Sequence, residues 1–144
     1  MNNITTIDVN KERLKSIARK VLREENIEGK IELSIALVGP TEIKKINKRY
    51  LGRNKATDVL AFPEFKKNKT IPTRKIKNLG EIIICPIEVK KNARRFNSTF
   101  KKELIEVLIH GIMHLLGYDH EKNQKEAEKM MKKQNHHLFK TFNL

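Results

Sequence analysis

One segment limits the possible folds of this chain more than any other. From Glu103 to Leu116, apolar side chains fall on nearly every side of a helix: Leu104, Ile105, Val107, Leu108, Ile109, Ile112, Met113, Leu115 and Leu116. A helix that is apolar all round belongs in an interior, so the rest of the chain must wrap it. Yet the segment carries His110 and His114, and His120 follows closely. These are three of the chain's five histidines.

His110 and His114 stand four apart, so their rings leave one helix face about one turn from each other. That is the spacing by which a helix offers two imidazoles to one metal ion. If the helix ran on, ten residues at ~1.5 Å each would carry His120 ~15 Å along the axis, beyond ligand distance. Gly117 lies where a turn is needed, and glycine accepts the left-handed conformation that ends a helix and lets the chain fold back. Three imidazoles then leave a fourth position open, the pattern of a catalytic metal site. A lone buried histidine is ordinarily a hydrogen-bonded core residue; three, with a glycine at the turning point, are hard to explain by packing. His136 and His137, in a polar segment, read as surface residues.

The spacing also matches the zinc-peptidase pattern HExxHxxGxxH, with Gly111 in place of its glutamate. That glutamate is the peptidases' general base, so peptide hydrolysis by that route lacks its proton acceptor. A metal here can still lower the pKa of a bound water to ~7 and polarise a phosphoryl oxygen. Thirty-one Lys and Arg against seventeen Asp and Glu give a net charge of +14, which favours a polyanionic partner. Enrichment in Lys and Glu from life at high temperature would balance the signs, and these are unbalanced. An A+T-rich genome is a further source of Ile, Lys and Asn. A metal in a basic protein points to phosphodiester chemistry.

The single cysteine, Cys85, excludes an internal disulfide, reads as a small buried hydrophobe, and leans toward a reducing, cytoplasmic compartment. No secretory signal is visible in the polar start, and no apolar run approaches the ~20 residues of a membrane helix, so no membrane is expected as a partner.

Without repeats or linker-like stretches, residues 1–144 read as one domain. Asn10 suits the N-cap of a helix with Leu14, Ile17, Ala18, Val21 and Leu22 on one face, and Gly29 ends that unit. "KIELSIALV" alternates as a strand with one buried face. Pro40 opens a short helix carrying Ile43, Ile46 and Tyr50. "ATDVLAF" is a second strand stopped by Pro63, and "LGEIIIC" a third, so apolar that it belongs in the centre. "ITTIDV", Ile4 to Val9, offers one more. Between the second and third strands runs a loop, Lys66 to Lys77, with six positive charges and no negative one, a solvated excursion or a phosphate-contacting arm. The remainder is helical: a segment after Pro86, the histidine helix, and "KNQKEAEKMMKKQNHHLF" with Ala127, Met130, Met131 and Leu138 inward. The expected fold is α/β or α+β, a small mixed sheet of about four strands flanked by several helices, with the metal site on a buried helix and the turn after it.

These motifs resemble the YbeY family of ribosomal-RNA maturation factors, bacterial metal-dependent endoribonucleases. "HGIMHLLGYDH" is close to the family's HGxLHLxGYDH. "INKRYLGRNKATDVLAFPE" resembles LNxxYRxxDxxTDVLSFP through Asn47, Tyr50, Thr57, Asp58, Val59, Leu60, Phe62 and Pro63, and "LGEIIIC" resembles LGDIxI. The similarity runs from about Ile31 to His120. It implies a mixed four-stranded sheet, one zinc ion per chain held by His110, His114 and His120, and a single-stranded RNA substrate. It further implies the small ribosomal subunit as partner, in 3′-end maturation of its 16S ribosomal RNA and in ribosome quality control. Zinc, nickel, copper and iron all suit imidazole ligands. The family usually carries arginine directly after the tyrosine, where this chain has Leu51; Arg49 and Arg53 flank it and, with Lys55, form the expected RNA-contacting set.

Asp119 either orients a histidine from behind or serves the turn. Asp58 is a strand-end hydrogen-bonding residue or, less favoured, a site carboxylate. Glu88 and Glu121 are distant candidates for a fourth ligand, and no residue stands out as general base. Two rival functions share these features: a non-catalytic RNA- or ribosome-binding factor whose metal only stabilises the fold, and a zinc metallopeptidase.

Overall fold

Asn10 starts the first helix, α1 (Lys11–Glu24), its side-chain oxygen accepting the Arg13 N–H at 3.1 Å. Leu14, Ile17, Ala18, Val21 and Leu22 are all buried, the face the periodicity predicts. The helix stops earlier than Gly29. Asn26 takes the left-handed turn at φ 60°, a region its short polar side chain tolerates, and Gly29, at φ 92°, leads into the next strand instead. The computed structural model describes residues 2–3, 7–27, 29–64 and 76–142.

The sheet has the order β1-β2-β4-β3. β2 (Lys30–Leu37) lies parallel to β4 (Ile76–Ile84), which pairs antiparallel with β3 (Val59–Pro63). β1 is a two-residue strand, Asn2–Asn3, parallel to β2. The strand expected from Ile4 to Val9 is not where the edge pairing forms. Residues 4–6 lie outside the described residues, and 7–9 are not in strand. β4 is buried on both faces, as its apolar run implies: Ile82 and Ile84 enter the larger core, Ile83 the smaller one. It also begins earlier than "LGEIIIC", since Ile76 and Lys77 pair with β2 rather than closing the basic loop. The loop's residues 66–75 lie outside the described ones.

Gly80 marks a bulge in β4, where the register with β2 shifts. It sits at φ 127°, and a Cβ there would run into the Phe62 carbonyl of β3, so only glycine lets the two backbones pass this closely.

Helix α2 (Pro40–Leu51) packs Ile43 on the smaller core and ends at Gly52, left-handed at φ 70°. Tyr50 is 61% exposed, and its ring meets Phe62 edge-on at 5.5 Å. Asn47 is buried instead, its amide donating to the Lys55 carbonyl at 3.0 Å. α3 (Pro86–Arg95) follows Cys85 at once, with the cysteine fully buried at the N-cap.

The histidine helix, α4 (Phe100–Leu115), is capped by Thr99 and packs against β3, β4, α1, α3 and the last helix, α5 (Gln124–Thr141). Gly111 is what brings it onto the sheet. A Cβ at that position would come within 3.1 Å of Ile82, tighter than side chains normally pack.

α5 departs from expectation. Met130 is buried, Ala127 and Leu138 are half-buried, and Met131 is exposed. The inward residues are Met130, Gln134 and His137, so the surface reading of His137 is corrected. Its ring lies between two carboxylates, Nδ1 3.2 Å from Glu24 Oε2 and Nε2 3.1 Å from Glu25 Oε2. Polar side chains take inward positions where partners wait for them. Among the described residues, no helix is long and apolar enough to cross a membrane.

Candidate functional site

His110 and His114 leave α4 one turn apart, with their Nε2 atoms 3.1 Å from each other. Beyond them the helix closes in two bonds. The Gly117 N–H donates to the His114 carbonyl at 3.0 Å and the Tyr118 N–H to the Met113 carbonyl at 3.1 Å, with Gly117 at φ 98°. This double closure is a Schellman turn, which requires a left-handed residue at that place. It sends the chain back, so that the His120 ring centroid lies 5.2 Å from that of His110 and 5.1 Å from that of His114. One nitrogen from each of the three rings lies within 4.8 Å of the others, a group able to hold a metal ion.

The donor set fits a transition metal that takes imidazole ligands. Two nitrogens bound tetrahedrally to one ion at ~2.0–2.1 Å stand ~3.4 Å apart, against 3.1 Å between His110 and His114. The rings also offer lone pairs. Burial lowers the His114 pKa to about 4, helped by the charges His110 and His120 would carry and opposed by Asp119 and Glu121. Burial lowers His110 as well, against its hydrogen bond to the Gln134 Oε1. Neutral imidazole is the metal-binding form. Among the described residues no acidic side chain joins the three histidines in the cluster. Glu88 is paired with Lys91 on its own helix at 3.3 Å. Glu121 stays at the edge, its Oε1 3.9 Å from His120 Nε2 and 3.6 Å from Arg53 Nη2.

The triad lies in the wall of an open cavity of about 960 Å³. Arg53, Lys55 and Leu51 line it, whereas Arg49 does not and instead places its guanidinium over the Tyr50 ring at 5.5 Å. Leu51 thus faces the cavity from the position where the family arginine would stand, and Arg53, two residues on, brings a guanidinium into the same wall. Asp119 Oδ1 accepts the Glu121 N–H at 2.9 Å, which shapes the turn, while its charge acts on His114. Asp58 also lines the cavity, held by Thr57 at 3.3 Å and by the Asn92 amide at 3.2 Å.

Two residues of the site escaped the sequence reading. Gln134 reaches across from α5, its Oε1 2.8 Å from His110 Nδ1. Glu106, one turn before His110 on α4, lines the cavity beside Gln134; burial and then the Glu103 charge raise its pKa, with Gln134 acting against them. A signal existed for both. Gln134 follows Met130 by four residues on the inward face, and Glu106 precedes His110 by the same interval.

A family model described as Endoribonuclease YbeY matches residues 1–142. The chain belongs to the YbeY endoribonuclease family. Endoribonuclease YbeY of Thermotoga maritima is 42% identical over 124 residues, which is 86% of this chain and 73% of that one. That of Thermotoga neapolitana is 41% identical over 136 residues, covering 92% and 83% respectively. A solution structure of a Thermotoga maritima protein aligns with a TM-score of 0.67 at 35% identity, over 99% of this chain and 90% of the other. As a YbeY-family member the chain is an endoribonuclease, a hydrolase of phosphodiester bonds, with a possible metal site in its histidine triad.

Proposed function

We propose that residues 1–144 work as one domain, a single-strand-specific endoribonuclease with one zinc ion on His110, His114 and His120. It acts in the cytoplasm on the 3′ end of 16S ribosomal RNA, and in quality control of the small ribosomal subunit. The observation that supports this reading is the convergence of three imidazoles in the wall of a cavity that also carries Arg53 and Lys55. When bound, the ion supplies a Lewis acid for a phosphoryl oxygen and acidifies a water.

The chain's own residues supply the rest. Arg53 and Lys55 draw the RNA backbone to the cavity, and Glu121 holds the Arg53 guanidinium beside His120 until phosphate displaces it. Phe96 argues for a single strand. It lines the same cavity, is 64% exposed, and has the Arg95 guanidinium 5.8 Å from its ring centre. An exposed aromatic beside arginines is a platform on which an unpaired base stacks, at ~1–3 kcal/mol per base, and a duplex withholds its base faces. Against the peptidase alternative stands Gly111, which offers no general base and packs closely on Ile82.

The test is metal content measured alongside cleavage of single-stranded and duplex RNA, with and without chelator. About one zinc per chain, chelator-sensitive cutting and intact duplex support the reading. Cutting that survives complete metal removal excludes the catalytic ion.

A further inference from the structure

A glutamine amide buried in a helix interface is costly unless both of its ends are satisfied. Gln134 is 7% exposed; its Oε1 lies 2.8 Å from His110 Nδ1, and the Glu106 side chain lies beside the same amide. The two partners decide which way round the amide sits. A carboxylate only accepts, so the amide NH2 faces Glu106 and the carbonyl oxygen faces His110. That oxygen likewise only accepts, so Nδ1 of His110 must carry the ring's proton. In the neutral ring the lone pair then lies on Nε2, the nitrogen that stands 3.1 Å from His114 Nε2 inside the triad.

We propose that Gln134 is a positioning residue: oriented by Glu106, it holds His110 as the Nδ1–H tautomer with Nε2 turned to the metal, and so sets the site's zinc affinity. The proposal rests on the reading of the triad as a metal site. It makes α5 part of the active centre although α5 contributes no ligand. His114 and His120 have no amide partner of this kind among the hydrogen bonds described, so the effect falls on one ligand of three. Removing a hydrogen-bond partner from behind a metal-bound histidine typically lowers metal affinity by ~10–100-fold.

The experiment uses zinc competition against a chromophoric chelator, together with 15N NMR of the His110 ring in the metal-free full chain at neutral pH. Wild type should show the Nδ1–H tautomer. Gln134→Met, which keeps the volume and loses the acceptor, should show mixed tautomers and zinc binding weaker by about tenfold or more. The exchange variant Glu106→Gln with Gln134→Glu restores an acceptor to His110 and should restore both signals. A merely structural glutamine would lower the melting temperature without moving the tautomer. An Nε2–H tautomer in wild type overturns the proposal even if Gln134→Met does not fold. So does unchanged zinc affinity in a folded Gln134→Met protein. A wild-type chain that binds no zinc, yet shows the Nδ1–H tautomer, overturns the metal reading and not the hydrogen-bond role.

Discussion

The same side chain is used in two opposite ways at two points beneath the inward face of α5. At the triad, ring nitrogens point at one another: His110 and His114 meet Nε2 to Nε2, and His120 closes the group. Around His137, each ring nitrogen already has a carboxylate oxygen, from Glu24 and Glu25 at the end of α1, while Lys133 and Tyr118 also bind Glu25. Ring nitrogens facing one another, with no acidic side chain in the cluster among the described residues, leave a place for a cation. A ring between two acceptors leaves none. Burial therefore does not distinguish a ligand histidine from a structural one, since His137 is the more deeply buried of the two kinds. What distinguishes them is the charge of what they face.

Substitution should separate the two sites cleanly. His114→Ala is expected to take bound zinc from about one per chain to nearly none and to abolish RNA cleavage, with the fold retained by circular dichroism. His137→Leu should do the reverse. Zinc stoichiometry stays at the wild-type level, while stability falls by about 1–3 kcal/mol because Glu25 is left buried with fewer partners. That corresponds to a melting temperature roughly 3–10 °C lower by calorimetry. Loss of zinc in the His137 variant would mean that the two regions are not independent.

Acid should also resolve the two regions, in different windows. His114 has its pKa pushed down to about 4, so between that value and its ordinary 6.5 the unfolded chain binds a proton that the folded metal-free chain does not. Stability of the metal-free protein should therefore fall as pH drops through this range, by about 1.4 kcal/mol per pH unit for the one proton. Denaturation at a series of pH values should show that slope in wild type and a shallower one in His114→Ala. Glu25 behaves otherwise. Burial raises its pKa, but bonds from His137, Tyr118 and Lys133 outweigh that and hold it below 4.5. Its contribution is present above that value and is lost only as pH falls beneath it.

The smallest effect expected concerns RNA affinity. Arg53 faces the cavity and Arg49 lies on Tyr50. Arg53→Ala should weaken binding of single-stranded RNA a few-fold and reduce the salt slope by about 1. Arg49→Ala should leave both nearly unchanged. Equal effects in a salt titration would show that the net charge, and not the cavity wall, recruits the RNA.

Much of this was legible in the sequence because the signals were apolar and periodic. The buried face of α1, the two-sided burial of β4, the turn at Gly117 and the convergence of the three histidines all follow from spacing and from one glycine's freedom. The polar interior was not legible in the same way. Gln134 and His137 sit on the inward face of α5 for the sake of partners 24 and 112 residues away, which no local period reveals. A search for apolar periodicity chose Met131 for that face and missed both. The cavity's cations were only partly separable, since the choice between Arg49 and Arg53 depended on where α2 ends and on the left-handed turn at Gly52.

The contact of Gly111 with Ile82 bears on how this motif can diverge. A glutamate at 111 would recreate the peptidase signature letter for letter, yet its side chain would set out into the seam between α4 and β4. Overpacking there costs ~1–3 kcal/mol, a noticeable share of the roughly 5–15 kcal/mol that holds a domain together. A base at this position would therefore come at the cost of the packing between α4 and β4. In this chain the nuclease and peptidase forms of the motif differ by a packing adjustment at Ile82 as well as by one residue.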